Sequence, residues 1–174
     1  MCLSAQSHKP QGWIRSSRRN ALTLVSLALF AGATVTPSAQ AAPPVNAIKP
    51  GIFGGTGDTA ILGYDTVAYF TDGKPAKGQD KLAAEYMGAK WLFASQAHLD
   101  AFKAEPAKYA PQYGGYCAYG VSQDNLVSIE PDKFKVLDGK LYLNYNAEVQ
   151  AKWLQDPQGF IRTADTKFQA LLRK

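Results

Sequence analysis

The chain has 174 residues, a formal net charge of +5, 46% hydrophobic residues, two cysteines and two histidines. Lysines are scattered singly along it, so they indicate a solvated surface and not a nucleic-acid site. The glycines at 54–57 lack the preceding strand and following Lys-Ser/Thr of a phosphate loop, and no Gly-x-Ser-x-Gly motif is present.

The N-terminal 41 residues have the pattern of a cleavable secretory signal peptide. Four basic residues and no acids precede an apolar run at 21–33, and small residues follow at 38–41. We therefore expect cleavage near Ala41 and a periplasmic or secreted protein without a membrane span. The pair Arg18-Arg19 also resembles a twin-arginine signal, so Sec and twin-arginine export both remain open. Cleavage would lower the formal charge from +5 to +1 by removing those four basic residues.

Residues 42–59 are rich in proline and glycine and predict a flexible lead-in without a core of its own. The remainder, 60–174, has the length of one ordinary domain. In chain order, Thr66 to Phe70, residues 82–87 and Lys90 to Ala94 are expected to be strands, the last two pairing through Gly88-Ala89.

The clearest hairpin is predicted at 134–145, where Asp138-Gly139 forms a two-residue turn. This register pairs Val136 with Leu141 and Phe134 with Leu143 on one core-facing side. Each of the predicted helices begins at a capping residue: Ser95, Asn146 and Asp156. The third should bury the stripe Phe160, Ala164, Phe168 and Leu172. The expected class is α+β, with a small antiparallel sheet packed against about three helices.

Cys117 becomes the lone thiol once the leader is removed. It is then a buried hydrophobe, a metal ligand, a reactive nucleophile or half of an intermolecular bridge. Because glycines flank it in YGGYCAYG, we favour a functional role, with a partly accessible sulfur of lowered pKa.

His98 is the single histidine of the mature chain, and it borders the apolar face of its predicted helix. One interpretation is purely structural, with a half-buried imidazole that bonds to the backbone. If the fold places His98 beside Cys117 instead, the two side chains would form a soft-metal site. Four further residues are candidates to line a ligand pocket around Cys117. They are Tyr116 and Tyr119 near the thiol, and Tyr64 and Asp65 from another loop that contains glycine.

Residues 86–95 (YMGAKWLFAS), followed by Phe102 and by 106–109 (PAKY), resemble the YHS domain, a small module associated with heavy-metal handling. The similarity covers roughly residues 64–109. Metal-binding members carry cysteines where this chain has Ala68, Ala94 and His98. The mature chain is also similar to a narrower exported branch through 63–65, 114–118 and 138–145. Members of that branch are often labelled YHS domain (seleno)proteins, in which selenocysteine can occupy the position matching Cys117, and the resemblance therefore implies a functional role for Cys117.

Three functions follow as alternatives. The first is an exported module that binds a soft metal ion, copper in particular, or a small ligand through Cys117 with His98 assisting. An incomplete two-residue site would need a metal or thiol donor protein, or a second copy of the chain. The second is thiol or peroxide redox chemistry at Cys117 with an external resolving thiol. The third is a non-catalytic interaction module in which Cys117 only packs. The first makes the protein a binding module more than an enzyme.

Overall fold

The computed structural model describes residues 41–47 and 57–174. The predicted signal peptide lies almost entirely outside the described residues. No helix in the described part of the chain is long and apolar enough to cross a membrane.

The described chain alternates short helices with two hairpins, which confirms the α+β class. The elements in order are α1 (Ala68–Thr71), β1 (Gln79–Tyr86), β2 (Ala89–Phe93), α2 (Gln96–Ala104), α3 (Pro106–Tyr109), α4 (Ala118–Ser122), β3 (Glu130–Leu137), β4 (Lys140–Asn144), α5 (Ala147–Trp153) and α6 (Pro157–Leu171). Two 3-10 turns, Ala60–Gly63 and Gln112–Gly115, precede α1 and α4.

The strands form two separate antiparallel pairs, β1 with β2 and β3 with β4, instead of one sheet. In the second pair Phe134 lies opposite Leu143 and Val136 opposite Leu141, as the sequence predicts. Leu141 and Leu143 are fully buried, whereas Phe134 and Val136 are partly buried against the core. The turn residues Asp138 and Gly139 both have positive φ, the conformation that a tight hairpin turn requires.

The three predicted helices are confirmed as α2, α5 and α6. Ser95, Asn146 and Asp156 each accept a backbone N–H of the first turn of their helix. In α6 the buried positions are Ala164 and Leu171, so the stripe ends one residue earlier than predicted.

The strand predicted from Thr66 to Phe70 is wrong, because this segment contains α1. Its β-branched and aromatic residues favour a strand by propensity alone. The carboxylate of Asp65, however, accepts the N–H groups of Val67 and Ala68, and this capping starts a helix.

The lead-in is not loose over the residues that the structure describes. Val45 and Asn46 are buried, although the sequence predicts a flexible segment from 42 to 59. Asn46 donates its backbone N–H to Gly114 O and its side-chain Nδ2 to Gly115 O, and it accepts from Ile61 N, at 2.9 Å each. Backbone groups of the two 3-10 turns thus supply the hydrogen-bond partners that Asn46 does not find within the lead-in.

Two apolar clusters form the core, and they meet at the α4 region. Cys117 belongs to the first cluster, with Phe93, Phe102 and Leu143. The adjacent Ala118 belongs to the second, with Trp153 and the buried face of α6. Cys117 therefore lies where the YHS-like part of the chain joins its C-terminal helices.

Candidate functional site

Cys117 is held at the start of α4 by contacts from three directions. Its sulfur accepts the N–H of Gly120 at 3.3 Å, which makes the thiol the N-cap of this short helix. Its own N–H donates to Val127 O at 3.1 Å, and a single parallel bridge joins it to Leu143 of β4. The residue is 0% exposed.

The environment of the sulfur favours the neutral thiol. Burial raises the pKa of Cys117, while the backbone N–H groups of Gly120, Tyr145 and Tyr119 oppose that increase. The expectation of a lowered pKa and a partly accessible thiol is therefore wrong. The flanking glycines that suggested it serve close packing: a Cβ on Gly114 would lie 1.9 Å from Pro44 O, and one on Gly120 would lie 2.9 Å from Val127 Cγ2.

Asn144 is a polar partner of Cys117 that the sequence reasoning did not identify. Its side chain is fully buried, and its Oδ1 lies 3.9 Å from the sulfur, within reach of a thiol proton. Its Nδ2 has no hydrogen-bond partner among the described residues. An unpaired buried amide costs about 1–3 kcal/mol, so an ordered water or a ligand that accepts from Nδ2 would be stabilising there. The signal in the sequence was an asparagine directly after the buried run 141–143 of β4.

A groove of about 210 Å³ lies beside Cys117, which is fully buried in its wall. We call it the thiol groove; its wall includes Cys117, Tyr119, Gly120, Val127, Tyr145 and Val149. Tyr145, another lining residue, is 51% exposed. The lining is mostly apolar, and Cys117 is the soft donor among the residues that form it.

His98 belongs to a different cluster, centred on Asp65. Its Nδ1 lies 2.6 Å from Asp65 Oδ2, and its Nε2 lies 3.2 Å from Thr71 Oγ1. Asp72 Oδ1 is a further 3.8 Å neighbour of Nε2. Both ring nitrogens are therefore engaged by oxygen atoms of this polar cluster.

Asp65 is fully buried, and each of its carboxylate oxygens has two partners. Oδ1 accepts the N–H groups of Val67 and Ala68, and Oδ2 accepts Ala94 N at 2.8 Å besides facing His98. This carboxylate joins α1, the end of β2 and α2, which is a structural role.

The remaining predicted pocket residues lie apart from one another. Tyr119 lines the thiol groove, and its ring packs edge-on against Phe160 at 5.1 Å. Tyr116 is buried and donates its hydroxyl to Pro43 O, and the ring of Tyr64 lies under Lys77 Nζ. Of the predicted site residues, the structure brings Cys117 and Tyr119 together at the groove.

These contacts do not fit a resident metal centre made from Cys117 and His98. The thiol is paired with Asn144 and Gly120, whereas the imidazole is paired with Asp65 and Thr71. Within residues 41–47 and 57–174 no group of three or more His, Cys, Asp or Glu side chains could hold a metal ion. A closed metal site needs about four ligands for zinc and more for calcium.

Residues 67–113 match the sequence model of the YHS domain family. This segment of the chain is a YHS domain. It runs from the residue before α1 to the second 3-10 turn, so His98 lies inside the YHS domain, while Cys117 and the thiol groove follow it. No curated protein and no solved structure matches the chain. The family has a link to metal handling, but the thiol groove is built largely by the segment beyond the YHS domain.

Proposed function

We propose that this chain is an exported YHS-domain protein that binds a soft ion, Cu(I), as a transient cargo in the thiol groove. The observation that carries this proposal is the position of Cys117: a lone thiol buried in the wall of a groove, whose buried neighbour Asn144 has an amide Nδ2 without a hydrogen-bond partner among the described residues. A second candidate is a non-catalytic interaction module in which Cys117 packs, favoured by its full burial and raised pKa.

The chemistry of the site supports a soft cation more than a hard one. Thiolate sulfur is the protein donor that selects Cu(I). The N–H groups of Gly120, Tyr145 and Tyr119 act on the sulfur in the direction that stabilises its negative form. Burial disfavours a free thiolate and so keeps Cys117 neutral. A cation that displaces the thiol proton neutralises the negative charge of the sulfur, so the bound thiolate escapes that desolvation penalty.

One protein donor leaves the ion incompletely coordinated, which suits transfer. A second ligand would come from outside, as a small thiol or a cysteine of a donor protein, and a groove of about 210 Å³ can receive such a group. Since Cys117 is fully buried, an ion reaches the sulfur only when side chains of the groove move, and the exposed Tyr145 can change rotamer within nanoseconds.

The experiment is an anaerobic Cu(I) titration against a chromophoric chelator, with glutathione present, on a chain carrying Cys2→Ser. This background leaves Cys117 as the one thiol. We expect one ion per chain, an affinity at least about tenfold lower for Cys117→Ser, and no change for the control His98→Gln. Equal binding by Cys117→Ser would overturn the proposal, and a loss confined to His98→Gln would move the site to the Asp65 cluster. Absence of binding throughout would favour the interaction module.

A further inference from the structure

Residues 43–47 of the lead-in, which we call the strap, lie against the 3-10 turn that leads to Cys117. Asn46 of the strap is 1% exposed, and it donates its backbone N–H to Gly114 O and its side-chain Nδ2 to Gly115 O. These two carbonyls belong to the last residues of the second 3-10 turn, shortly before the thiol. The strap therefore fixes the backbone from which the Cys117 segment starts.

Two further contacts join the strap to the surroundings of Cys117. The hydroxyl of Tyr116, the residue directly before the thiol, donates to Pro43 O at 3.0 Å. Val45 is 2% exposed and belongs to the same apolar cluster as Cys117. Departure of the strap would take a buried side chain out of this cluster and leave the hydroxyl of Tyr116 without its acceptor. The strap and the thiol thus belong to one packed unit.

The strap also bridges two turns whose backbones are strained. Ile61 donates its N–H to Asn46 O, so Asn46 connects the first 3-10 turn with the second. Ile61 and Leu62 of the first turn have φ of +41° and +58°, and Tyr113 of the second has φ of +55°. Positive φ is disfavoured for residues other than glycine, and most of all for a β-branched residue such as Ile61. Such a conformation persists where surrounding contacts impose it.

We propose that the strap is a latch on the Cys117 segment: its release lets the two strained turns relax and opens that segment to solvent without unfolding the rest of the chain. The docked strap is the closed state, in which the thiol is fully buried. The released strap gives a locally open state that small molecules and ions can reach. The latch governs access to the sulfur, so it holds whether or not the thiol groove binds a metal ion.

The test is the rate at which iodoacetamide alkylates Cys117 as a function of urea, measured on the full chain carrying Cys2→Ser. A local opening exposes little surface, so its rate depends weakly on urea, whereas global unfolding gives a rate that rises with the full slope of the unfolding transition. We expect a nearly flat region at low urea for the starting chain. Asn46→Ala removes the bond to Gly115 O and should raise the rate in that region at least about tenfold.

Two further variants separate the latch from a general loss of stability. Tyr116→Phe keeps the ring and removes the hydroxyl that bonds to Pro43 O, so it should raise the rate at low urea at least about threefold. The control Gly139→Val strains the turn of the second hairpin, away from the strap, and should leave that rate within about twofold. A rate that follows global unfolding in every form, or an equal increase in Gly139→Val and Asn46→Ala, would overturn the proposal.

Discussion

His98 Nδ1 lies 2.6 Å from Asp65 Oδ2, and this contact joins the loop before α1 to the first turn of α2. It connects residues 33 positions apart in sequence. The same carboxylate accepts three backbone N–H groups, so the pair is a buried polar centre that ties together α1, the end of β2 and α2.

Asp65→Asn should be strongly destabilising. Asn keeps one acceptor oxygen for Val67 and Ala68, but its amide nitrogen then faces the N–H of Ala94, which loses its buried acceptor, and the charge opposite His98 is lost, at a cost of about 3 kcal/mol. His98→Gln should cost less, about 1 kcal/mol, because the side chain is 16% exposed and water can replace part of its contact. Urea unfolding of both variants measures the order, and a larger loss for His98→Gln would refute the structural role of Asp65.

The buried thiol predicts slow chemistry in the native state. Cys117 should react with iodoacetamide at neutral pH much more slowly than a model thiol, and at the ordinary rate once the chain is unfolded. These rates are measured in the Cys2→Ser background. Rapid alkylation of the native chain would show that the groove opens to solvent far more often than its packing implies.

The same thiol should make stability depend on pH at the alkaline end. Since its pKa is raised on folding, the unfolded chain releases the proton first as pH rises. The contribution of Cys117 is therefore fully present below about pH 8, and it is lost progressively as pH rises from about 8.5 through the raised folded-state pKa. Buried tyrosines also titrate at high pH, so the quantity to measure is the difference in unfolding free energy between the starting chain and Cys117→Ser. A difference that stays constant up to pH 10 would contradict the raised pKa.

Gly139→Val should destabilise the second hairpin through the backbone alone. Gly139 has φ of +71° and nothing lies within 4 Å of a Cβ built there. A β-branched residue is strained in that conformation, and we expect a loss of about 1–2 kcal/mol. Gly139→Asn is the matched control, because Asn tolerates positive φ, and its loss should be less than half as large. Equal losses would indicate a contact that the turn geometry does not reveal.

Asn46→Ala should loosen the lead-in. The substitution removes the donor to Gly115 O, a carbonyl of the turn before Cys117, and should cost about 1–3 kcal/mol. Limited proteolysis between residues 41 and 57 should accelerate in parallel. The control Asn125→Ala removes an exposed local bond to Gln123 O and should change the unfolding free energy by less than about 0.5 kcal/mol. An unchanged cleavage rate in Asn46→Ala would show that other contacts hold the segment.

Local signals in the sequence were sufficient for the elements with strong caps and turns. Ser95, Asn146 and Asp156 start the helices predicted from them, and Asp138-Gly139 fixes the register of the second hairpin. Propensity failed at α1, where one carboxylate outweighs a run of strand-favouring residues. Composition also gave no sign of the burial of Val45 and Asn46, which depends on backbone partners distant in sequence.

The candidate site was harder to predict because its geometry is tertiary. Cys117 and Tyr119 are close in sequence, and their grouping was foreseeable. Whether His98 faced Cys117 or Asp65 depended on how α2 packs, which no local pattern encodes. The contact between Asn144 and Cys117 depends on the bridge that sets β4 beside Cys117, and no local pattern encodes that bridge.

The central claim is that Cys117 carries a soft ion, and mass spectrometry of the native protein purified anaerobically from its own cells tests it most directly. We expect a fraction of the chains to carry one copper ion and a reduced Cys117, and we expect no copper in Cys117→Ser purified in the same way. A protein that is metal-free in both forms would contradict the claim and leave Cys117 as a packing residue.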